Sequence, residues 1–403
     1  MNIGMLLNAP YPSDMRIRKE ALALLGAGFR VYLLCLRRPN EKETEVIEGI
    51  TIARIRSGTN DVGLAFWDVI MSLQVAHPRF RKAIIEWVKK YDIKALHVHD
   101  LPLVGTALST REQLDIPVIA DFHENYPEAI KAWFEWKKNP IARLKNKLFM
   151  NPSRWTEIER NAVLKSDHVI AVVDEMKARL IDQYGASADT ITVITNTEEL
   201  DFLHQESFPD IYDSVKGNFI VTYSGNIGPH RGVDTVIGAM RHLVAYPIVL
   251  IIVGKGRRTV MDRLKAQVLE LNVSRQVYFL GHQPFAKFFS YMRFADVNVI
   301  PHKSNAHTDN TVPHKLFEAM MVGKPVLVSS STPLKRIVSS TNSGLVFQAG
   351  SSHDCSEKIL ELFENKELCQ RLGNNGVQAT LHGGLNWETT QKSLIDLYRS
   401  LVV

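Results

Sequence analysis

The chain has little cysteine and no long apolar run. Its 403 residues include only three cysteines, Cys35, Cys355 and Cys369, and none of them has the spacing of a zinc-binding pair. An odd number of cysteines in so long a chain argues against a disulfide framework and predicts a reducing compartment. No apolar stretch reaches the roughly 20 residues that a membrane-spanning helix needs. We therefore expect a cytoplasmic protein, at most peripheral at the inner face of the membrane.

Three other signatures are missing as well. No Asp-x-Asp motif occurs, which predicts a site that uses no metal. The first apolar run is followed by Asn8 to Pro12 instead of a G-x-G-x-x-G loop, which disfavours an NAD-dependent enzyme. The run itself, Ile3 to Leu7, has no basic segment before it, so we interpret it as a buried strand and not a signal peptide. A net charge of +5 suits anionic ligands, but it is too small to indicate nucleic acid.

What is present is the alternation typical of a parallel α/β protein. A chain of this length, with 45% hydrophobic and 23% charged residues, is expected to fold as two domains with separate cores. Short β-branched runs alternate with amphipathic segments, and the rhythm restarts at Phe219, which predicts two parallel sheets. The predicted strands are residues 30–36, 95–99, 118–122, 168–173 and 191–196, and then 219–223, 248–253, 277–280, 297–300, 326–329 and 345–347.

The predicted architecture is two doubly wound, Rossmann-like domains that face a central cleft. We expect residues 1–205 to form an N-terminal Rossmann-like domain and residues 206–385 to form a C-terminal Rossmann-like domain. Residues 386–403 are amphipathic and are expected to form a helix that packs back toward the N-terminal domain. Ligands of such sheets bind at the carboxyl ends of the strands, so the loops that follow strands are the places to look for function.

The loops of the second half are rich in glycine and basic residues. The first runs from Tyr223 to Gly232 and ends in Arg231 before a helix. Its glycines let the backbone approach a ligand, and a helix start offers N–H donors to phosphate. An ordinary βα turn is an equally good interpretation of this loop taken alone. The next loop, Val253 to Arg258, is more often a solvated turn.

The most informative segment is Thr308 to Val326. A polar loop leads into a short helix that carries Glu318, and a glycine and a proline precede the next strand. A carboxylate with apolar neighbours at a sheet edge can accept two hydroxyl hydrogen bonds from a ribose. A position on the helix surface is nevertheless the commoner fate of any single glutamate.

Taken together, these segments resemble the GT-B fold glycosyltransferases of family 4, which are retaining enzymes that use nucleotide sugars. The resemblance covers nearly the whole chain, and each motif is weak alone but the shared order is specific. The matching segments are His97 to Asp100, Ser166 to Val172, Val193 to Asn196, Gly254 to Gly256, Asp296 to Pro301 and Lys315 to Pro325.

The resemblance implies that residues 1–205 bind the acceptor and residues 206–385 bind the nucleotide sugar. It also implies three catalytic residues. Arg231 stands where the family has a lysine that holds the donor diphosphate. Glu318 matches the second glutamate of the family's E-x7-E pattern, which binds the ribose. His123 matches the family's N-domain histidine, which faces the transferred sugar. The implied donor-binding residues are Gly225, Asn226, Gly228, Arg231, Gly254, Lys255, Leu280, Gly281, His282, Asn310, Thr311, Val312, Pro313, His314, Lys315 and Glu318, with backbone N–H groups of Val312, His314 and Lys315 toward phosphate.

Two positions depart from the family pattern. Asn310 replaces the first glutamate of E-x7-E, which leaves the donor sugar open. Asn226 replaces the arginine of a G-R step and removes one cation from the diphosphate site. Arg231 and the backbone suffice there, or Arg16 or Arg18 completes the site from the other domain. No cofactor is implied, a UDP- or GDP-sugar is the co-substrate, and the arginine stands in for a divalent ion. Retention is implied, with the departing phosphate as base.

The acceptor side is indicated by residues 131–155, which interleave basic and aromatic side chains. Such a segment suits the headgroup zone of an anionic bilayer, and a helix pair with a solvated basic face fits it equally well. We expect a glycan or lipid-linked acceptor and no nucleic acid. The candidate residues of the acceptor or membrane side are Arg16, His99, His123, Glu124, Trp133, Trp136, Lys137 and Lys138.

The predicted function is transfer of a sugar from a nucleotide sugar to such an acceptor, in the synthesis of cell-envelope polysaccharide or glycoconjugate. A nucleotide-sugar epimerase or hydrolase of the same fold would need only the donor. A non-catalytic, nucleotide-sugar-binding partner subunit is the other alternative, and Asn226 and Asn310 encourage it.

Overall fold

The computed structural model describes residues 1–12, 15–56, 76–135 and 152–401. The chain forms two compact units. The first consists of Met1–Thr195 and Gln391–Val403, and the second of Asn196–Thr390. Within the described residues, no helix combines the length and apolar character that crossing a membrane requires.

The first unit contains an eight-stranded sheet in the order β3-β4-β2-β1-β5-β6-β7-β8. Neighbouring strands are parallel except for the antiparallel pair of β3 and β4. The central strands are buried along most of their length, as expected where helices cover both faces of a parallel sheet. The strands are β1 (Asn2–Pro10), β2 (Arg30–Leu36), β3 (Thr44–Ile47), β4 (Ile50–Ile55), β5 (Ala95–His99), β6 (Val118–Phe122), β7 (His168–Ala171) and β8 (Ile191–Val193).

The second unit contains a six-stranded, wholly parallel sheet in the order β11-β10-β9-β12-β13-β14. Buried side chains of residues 233–243, 260–268 and 355–372 pack on this sheet and close a core made mostly of valine, isoleucine and leucine. The strands are β9 (Phe219–Ser224), β10 (Ile248–Val253), β11 (Val277–Gly281), β12 (Val297–Ile300), β13 (Val326–Ser329) and β14 (Gly344–Phe347).

Helices connect these strands, and several have local capping signals. Helix α2 begins with His77, whose ring accepts a hydrogen bond from the N–H of Phe80, and ends at Asp92 in the left-handed conformation. The helices of the first unit are α1 (Met15–Gly26), α2 (Pro78–Tyr91), α3 (Val104–Leu108), α4 (Arg111–Leu114), α5 (Tyr126–Glu135), α6 (Pro152–Lys165) and α7 (Asp174–Tyr184). Those of the second are α8 (Val233–Met240), α9 (Arg258–Glu270), α10 (Phe288–Arg293), α11 (Lys315–Met321), α12 (Thr332–Thr341), α13 (Ser352–Glu364) and α14 (Lys366–Val377).

The last helix, α15 (Trp387–Ser400), is shared between the units. It belongs to the second unit as far as Thr390 and to the first from Gln391 onward. Its buried side chains Leu394 and Tyr398 are therefore part of the first unit.

The predicted α/β class with two parallel sheets is confirmed, with local differences. The strands predicted at 168–173 and 191–196 end at Ala171 and Val193, because the chain turns there into the next helix or leaves the sheet. The sequence reading also missed β3 and β4. These form an edge hairpin in which exposed and half-buried residues alternate along β3 and buried and half-buried residues along β4, unlike the continuous apolar runs of the central strands.

In each sheet the order of the strands reverses once, between β1 and β5 in the first and between β9 and β12 in the second. At such a switch point the two adjacent loops leave in opposite directions, and the sheet opens at its carboxyl edge. At each of these two points lies a cluster of histidine and charged side chains.

Candidate active site

The loops after β9, β10 and β11 form a hydrogen-bonded rim in the second unit. The N–H of Gly225 donates to the carbonyl of Val253 at 2.9 Å, and that of Gly254 donates to Gly281 at 2.8 Å. Gly254 has φ of +143°, and a Cβ on it would lie 1.8 Å from the carbonyl oxygen of Gly225. Only glycine permits this close approach, so the rim depends on the residues that the sequence singled out.

Arg231 and His302 meet at the switch point of the second sheet. Arg231 ends a 3₁₀ turn after β9, and His302 follows β12. The guanidinium Nη1 lies 2.9 Å from His302 Nε2. Since arginine can only donate, that nitrogen accepts, and His302 is a neutral imidazole with its proton on Nδ1. Burial and the neighbouring charges of Arg231 and Lys315 hold the pKa of His302 well below its usual range.

The side chain of Lys315 is a second cation at this site. It extends from α11 beneath the glycine loop, with Nζ 3.3 Å from the carbonyl oxygen of Ser224 and 3.9 Å from the ring centre of Tyr223. Burial, and then the charge of Arg231, lower its pKa well below the usual 10.5. Among the described residues no carboxylate forms an ion pair with Lys315 or Arg231. From the sequence we predicted a role only for the backbone N–H of Lys315, so this position of its side chain is a new observation.

Two further histidines surround these cations. Burial and the charge of Arg231 lower the pKa of His230 to about 3, and its ring packs edge-on against His307. Two buried polar atoms, Ser224 Oγ and His302 Nδ1, have no hydrogen-bond partner in the described part of the chain. The cluster of Arg231, Lys315 and neutral histidines is thus rich in donors and positive charge, which suits an anionic ligand.

Glu318 and Asn310 flank this cluster on the next loop. Glu318 is only 5% exposed, and its Oε1 lies 3.6 Å from Nε2 of His314. Asn310 is also buried, and its amide donates to the carbonyl of Ala306 at 2.8 Å. The buried carboxylate fits the predicted ribose ligand, whereas the Asn310 amide holds its own loop.

The remaining predicted donor residues lie on the same loops. Val312 is buried, and Gly228, Leu280, Gly281, Thr311 and Pro313 are half-buried. Asn226, Lys255, His282 and His314 are exposed. The 3₁₀ turn before Gly232 places Arg231, while Asn226 brings no charge to the rim.

The second cluster lies at the switch point of the first sheet and is centred on Asp121. Three histidines point at one of its oxygens, Oδ2: His123 Nε2 at 2.6 Å, His99 Nδ1 at 3.2 Å and His97 Nε2 at 3.4 Å. Burial opposes the ionised carboxylate, but Arg16 and His123 hold the pKa of Asp121 well below its usual range. The carboxylate is therefore charged, and it organises the three rings.

The neighbours of Asp121 decide which histidines hold a proton. Although burial lowers the pKa of His123, the charges of Asp100 and Asp121 raise it to about 10. Burial and the neighbouring His97 lower the pKa of His99 to about 4. His123 is thus an imidazolium at neutral pH, and His99 is neutral.

Arg16 is part of this cluster. Its guanidinium contacts Asp121 Oδ1 and Glu20 Oε1, both at 2.9 Å, and donates to the carbonyl of Ile194 at 3.0 Å. Arg18 pairs with Glu48 at 2.8 Å. The suggestion that one of these arginines replaces the cation missing at Asn226 finds no support, because carboxylates of the first unit already engage both.

The donor set of Glu20, His97, His99 and Asp121 also has metal-ligand chemistry. One ligand atom from each lies within 4.8 Å of the others, and all four residues are buried. Arg16 contacts both carboxylates, while Glu20 Oε1 and Oε2 and His99 Nε2 have no hydrogen-bond partner in the described part of the chain.

The predicted acceptor side is described in part. Glu124 is half-buried directly after His123, and Trp133 lies near the end of α5. Trp136, Lys137 and Lys138 lie outside the described residues.

Four histidines with lowered pKa values lead us to expect that the protein is less stable in acid. The pKa values of His77 and His99 are lowered to about 4 and that of His230 to about 3, while that of His302 is well below 6.5, in each case first through burial. Below pH 6.5 the unfolded chain binds these protons and the folded chain does not, so stability falls as the pH drops.

His97 and His123 have raised pKa values and are protonated in both states below pH 6.5, so they do not offset this loss. They weaken stability only as the pH rises above 6.5. We expect the melting temperature in scanning calorimetry to peak near neutral pH and to fall steadily from pH 6.5 to 4.5. His77→Asn, which keeps a capping side chain, should flatten the acid slope. A melting temperature independent of pH in this range would contradict the assignment.

Two sequence families cover most of the chain. Residues 16–201 match Glycosyltransferase Family 4, and residues 204–379 match Glycosyl transferases group 1. The chain belongs to glycosyltransferase family 4. An uncharacterized glycosyltransferase of Methanocaldococcus jannaschii is 28% identical over 240 residues, which are 60% of this chain and 61% of that relative. The phosphatidyl-myo-inositol mannosyltransferase of Mycobacterium leprae is 22% identical over 411 residues and aligns with 100% of this chain and 97% of its own.

Solved structures show the same fold for this family 4 member. The sucrose-phosphate synthase of Thermosynechococcus elongatus superposes with a TM-score of 0.78 at 19% identity, over 100% of this chain and 99% of that one. HepE of Anabaena, in complex with UDP-glucose, superposes with a TM-score of 0.71 at 15% identity, over 99% and 100% of the two chains. The predicted GT-B fold is confirmed.

Proposed function

We propose that the protein transfers a sugar from a UDP- or GDP-sugar to a glycan or lipid-linked acceptor, with retention of the anomeric configuration. The observation that carries the proposal is the meeting of Arg231, His302 and Lys315 at the switch point of the second sheet. Two cations without a carboxylate partner among the described residues form a site for a diphosphate.

Lys315 can supply the positive charge that the family pattern would place at Asn226. The loop of Gly225 and Asn226 lacks the expected arginine, but Lys315 Nζ would lie 3.7 Å from a Cβ placed on Gly225. The second positive charge therefore reaches the glycine loop from α11 and not from the loop itself. Because Lys315 can replace the missing arginine, we favour a catalytic protein over a non-catalytic partner subunit.

The chemistry follows from the charge that develops as the sugar leaves. Breaking the bond between sugar and phosphate builds negative charge on the nucleoside diphosphate and an oxocarbenium-like sugar. Preorganised cations in a buried site stabilise that charge more than water does. Arg231 and Lys315 supply the charge that a divalent ion supplies elsewhere, so we propose a metal-independent hexosyl transfer.

The first unit supplies the sugar-side groups in this proposal. We propose that His123, protonated and held by Asp121, acts on the transferred sugar, as the family resemblance implies. The departing phosphate acts as the base for the acceptor hydroxyl. The full-length alignment with a mannosyltransferase named for phosphatidyl-myo-inositol supports a lipid-linked acceptor. We place the reaction in glycoconjugate or envelope polysaccharide synthesis at the cytoplasmic face of the membrane.

Glu318 provides the test of donor recognition. If its carboxylate accepts the ribose hydroxyls, Glu318→Gln should weaken UDP or GDP binding about 10-fold to 100-fold, the cost of hydrogen bonds to a charged group. Pyrophosphate has no ribose, so its affinity should be unchanged. Titration calorimetry with the nucleotide and with pyrophosphate separates the two effects. Glu270→Gln, an exposed change at the end of α9, is the control.

Product analysis tests the reaction. Incubation with UDP- and GDP-sugars and a membrane lipid or glycan extract should give acceptor-dependent release of nucleoside diphosphate. Epimer formation or release of free sugar without acceptor would replace the proposal with the epimerase or hydrolase alternative. Absence of any nucleotide binding would refute the donor site itself.

A further inference from the structure

The last helix brings a tyrosine hydroxyl against the Asp121 cluster. Tyr398 Oη lies 2.8 Å from Nδ1 of His97, a residue 301 positions earlier in the chain. Both side chains are fully buried, and their rings stack at 6.0 Å with an angle of 9°. The edge of Phe29 packs against the tyrosine ring at 6.2 Å. His97 is the one hydrogen-bond partner of this hydroxyl in the described part of the chain.

The hydroxyl fixes which nitrogen of His97 faces the carboxylates. Burial and the charges of Glu20 and Asp121 raise the pKa of Tyr398 well above 10, so the hydroxyl keeps its proton. With a neutral His97 it donates to Nδ1, and the ring proton must then be on Nε2. With a protonated His97 the hydroxyl accepts from Nδ1, and Nε2 still carries a proton. In both states an N–H faces Glu20 Oε2 at 3.3 Å and Asp121 Oδ2 at 3.4 Å.

The next contact leads to His123. Asp121 Oδ2, which receives the N–H of His97, is the same oxygen that pairs with His123 Nε2 at 2.6 Å. If His97 lost its fixed orientation, this oxygen would lose one of the N–H groups that hold it, and its contact with His123 would shift. The ring position of His123 therefore depends on a hydroxyl that acts on it through His97 and Asp121.

We propose that Tyr398 is a positioning residue of the active site, which through His97 and Asp121 fixes the orientation of His123. The proposal rests on the proposed function only in that His123 acts on the transferred sugar. Tyr398 itself touches no substrate in this scheme. It makes the C-terminal helix a working part of the first unit's site.

Tyr398→Phe tests the proposal, because it removes one oxygen and keeps the ring. Tyr184→Phe is a matched control: the Tyr184 hydroxyl is buried in the same unit and donates to Glu159 at 2.6 Å, away from the Asp121 cluster. We expect kcat to fall about 10-fold in Tyr398→Phe, the size of a modest misplacement of a reacting group, with KM for the donor within about twofold. The control should keep its kcat.

Side-chain ¹⁵N spectra of histidine-labelled protein provide a readout that needs no activity. The ring nitrogens of His97 and His123 should shift in Tyr398→Phe and stay unchanged in Tyr184→Phe. Nucleotide binding, measured by calorimetry, tests the proposed function separately, because the donor residues lie in the other unit. If the wild type bound no nucleotide, the proposed function would fail, but the spectra would still test the role of Tyr398.

Three results would overturn the proposal. Unchanged histidine spectra in Tyr398→Phe would show that the hydroxyl does not orient the network. Wild-type kcat together with a lowered melting temperature would assign Tyr398 to packing alone. A divalent cation bound stoichiometrically to the wild type and lost from Tyr398→Phe, measured by elemental analysis, would show that the tyrosine acts by retaining a metal.

Discussion

Replacing Arg231 with alanine is expected to lower kcat/KM for the nucleotide sugar by about 100-fold to 1,000-fold, the usual cost of removing a preorganised charge donor. The reason is that Arg231 carries the exposed share of the positive charge at the glycine loop, while Lys315 lies beneath it. UDP or GDP and pyrophosphate should lose affinity together, in contrast to Glu318→Gln. Steady-state kinetics and titration calorimetry measure the two effects.

The pH dependence of phosphate binding by Arg231→Ala tests the electrostatic role of Arg231. Without Arg231, His302 loses both its hydrogen-bond donor and the charge that lowers its pKa. The residual phosphate affinity should therefore increase as the pH falls from 8 to 6, because His302 becomes easier to protonate. Arg231→Lys should recover part of the affinity but not the paired hydrogen bonds. Arg258→Ala, a fully solvated arginine of the same unit, should change nothing, and an equal loss there would contradict a specific role for Arg231.

Replacing Asp121 with asparagine is expected to destabilise the first unit by about 3 to 5 kcal/mol, the range for removing one partner from a buried ion pair. The shape is kept, but Arg16 and Glu20 lose the charge balance of the cluster, and an amide can no longer accept from three rings. The pKa of His123 should fall from about 10 when the charge of Asp121 is lost, while the charge of Asp100 still raises it, so the imidazolium fraction and the transfer rate should both decrease at pH 8. Urea unfolding and activity measured against pH report these effects.

Asp92→Asn is the matched control for Asp121→Asn. Asp92 pairs with Lys94 at 2.6 Å, but its side chain is 74% exposed, and its left-handed backbone accepts asparagine readily. The free energy of unfolding should change by less than about 0.5 kcal/mol, as for most exposed ion pairs. If Asp121→Asn were as harmless as this control, the cluster would not be a charged network.

The sheets were predictable from sequence because their central strands are continuous apolar runs. The bounds of β2, β5, β6, β10, β12 and β13 agree residue for residue with the prediction. The hairpin of β3 and β4 was not found, since an edge strand with one solvated face has no such run. Hydropathy indicates burial, and at the sheet edge burial is incomplete.

The candidate site was predictable only where a single loop defines it. Arg231 and Glu318 follow from their own motifs, but the contact of Arg231 with His302 depends on β9 and β12 being neighbours, although two other strands separate them in the chain. The side chain of Lys315 could not be placed without the fold that puts it under Tyr223. Arg16 looked like a spare cation because its partner Asp121 lies 105 residues further along.

The order of protein synthesis gives the shared helix α15 a further consequence. The segment Gln391–Val403 belongs to the first unit, yet the ribosome makes it only after every residue of the second. Tyr398 can therefore reach His97 only after the whole second unit has been translated, so this contact of the first unit forms late. Expression of residues 1–195 alone would lack the contact.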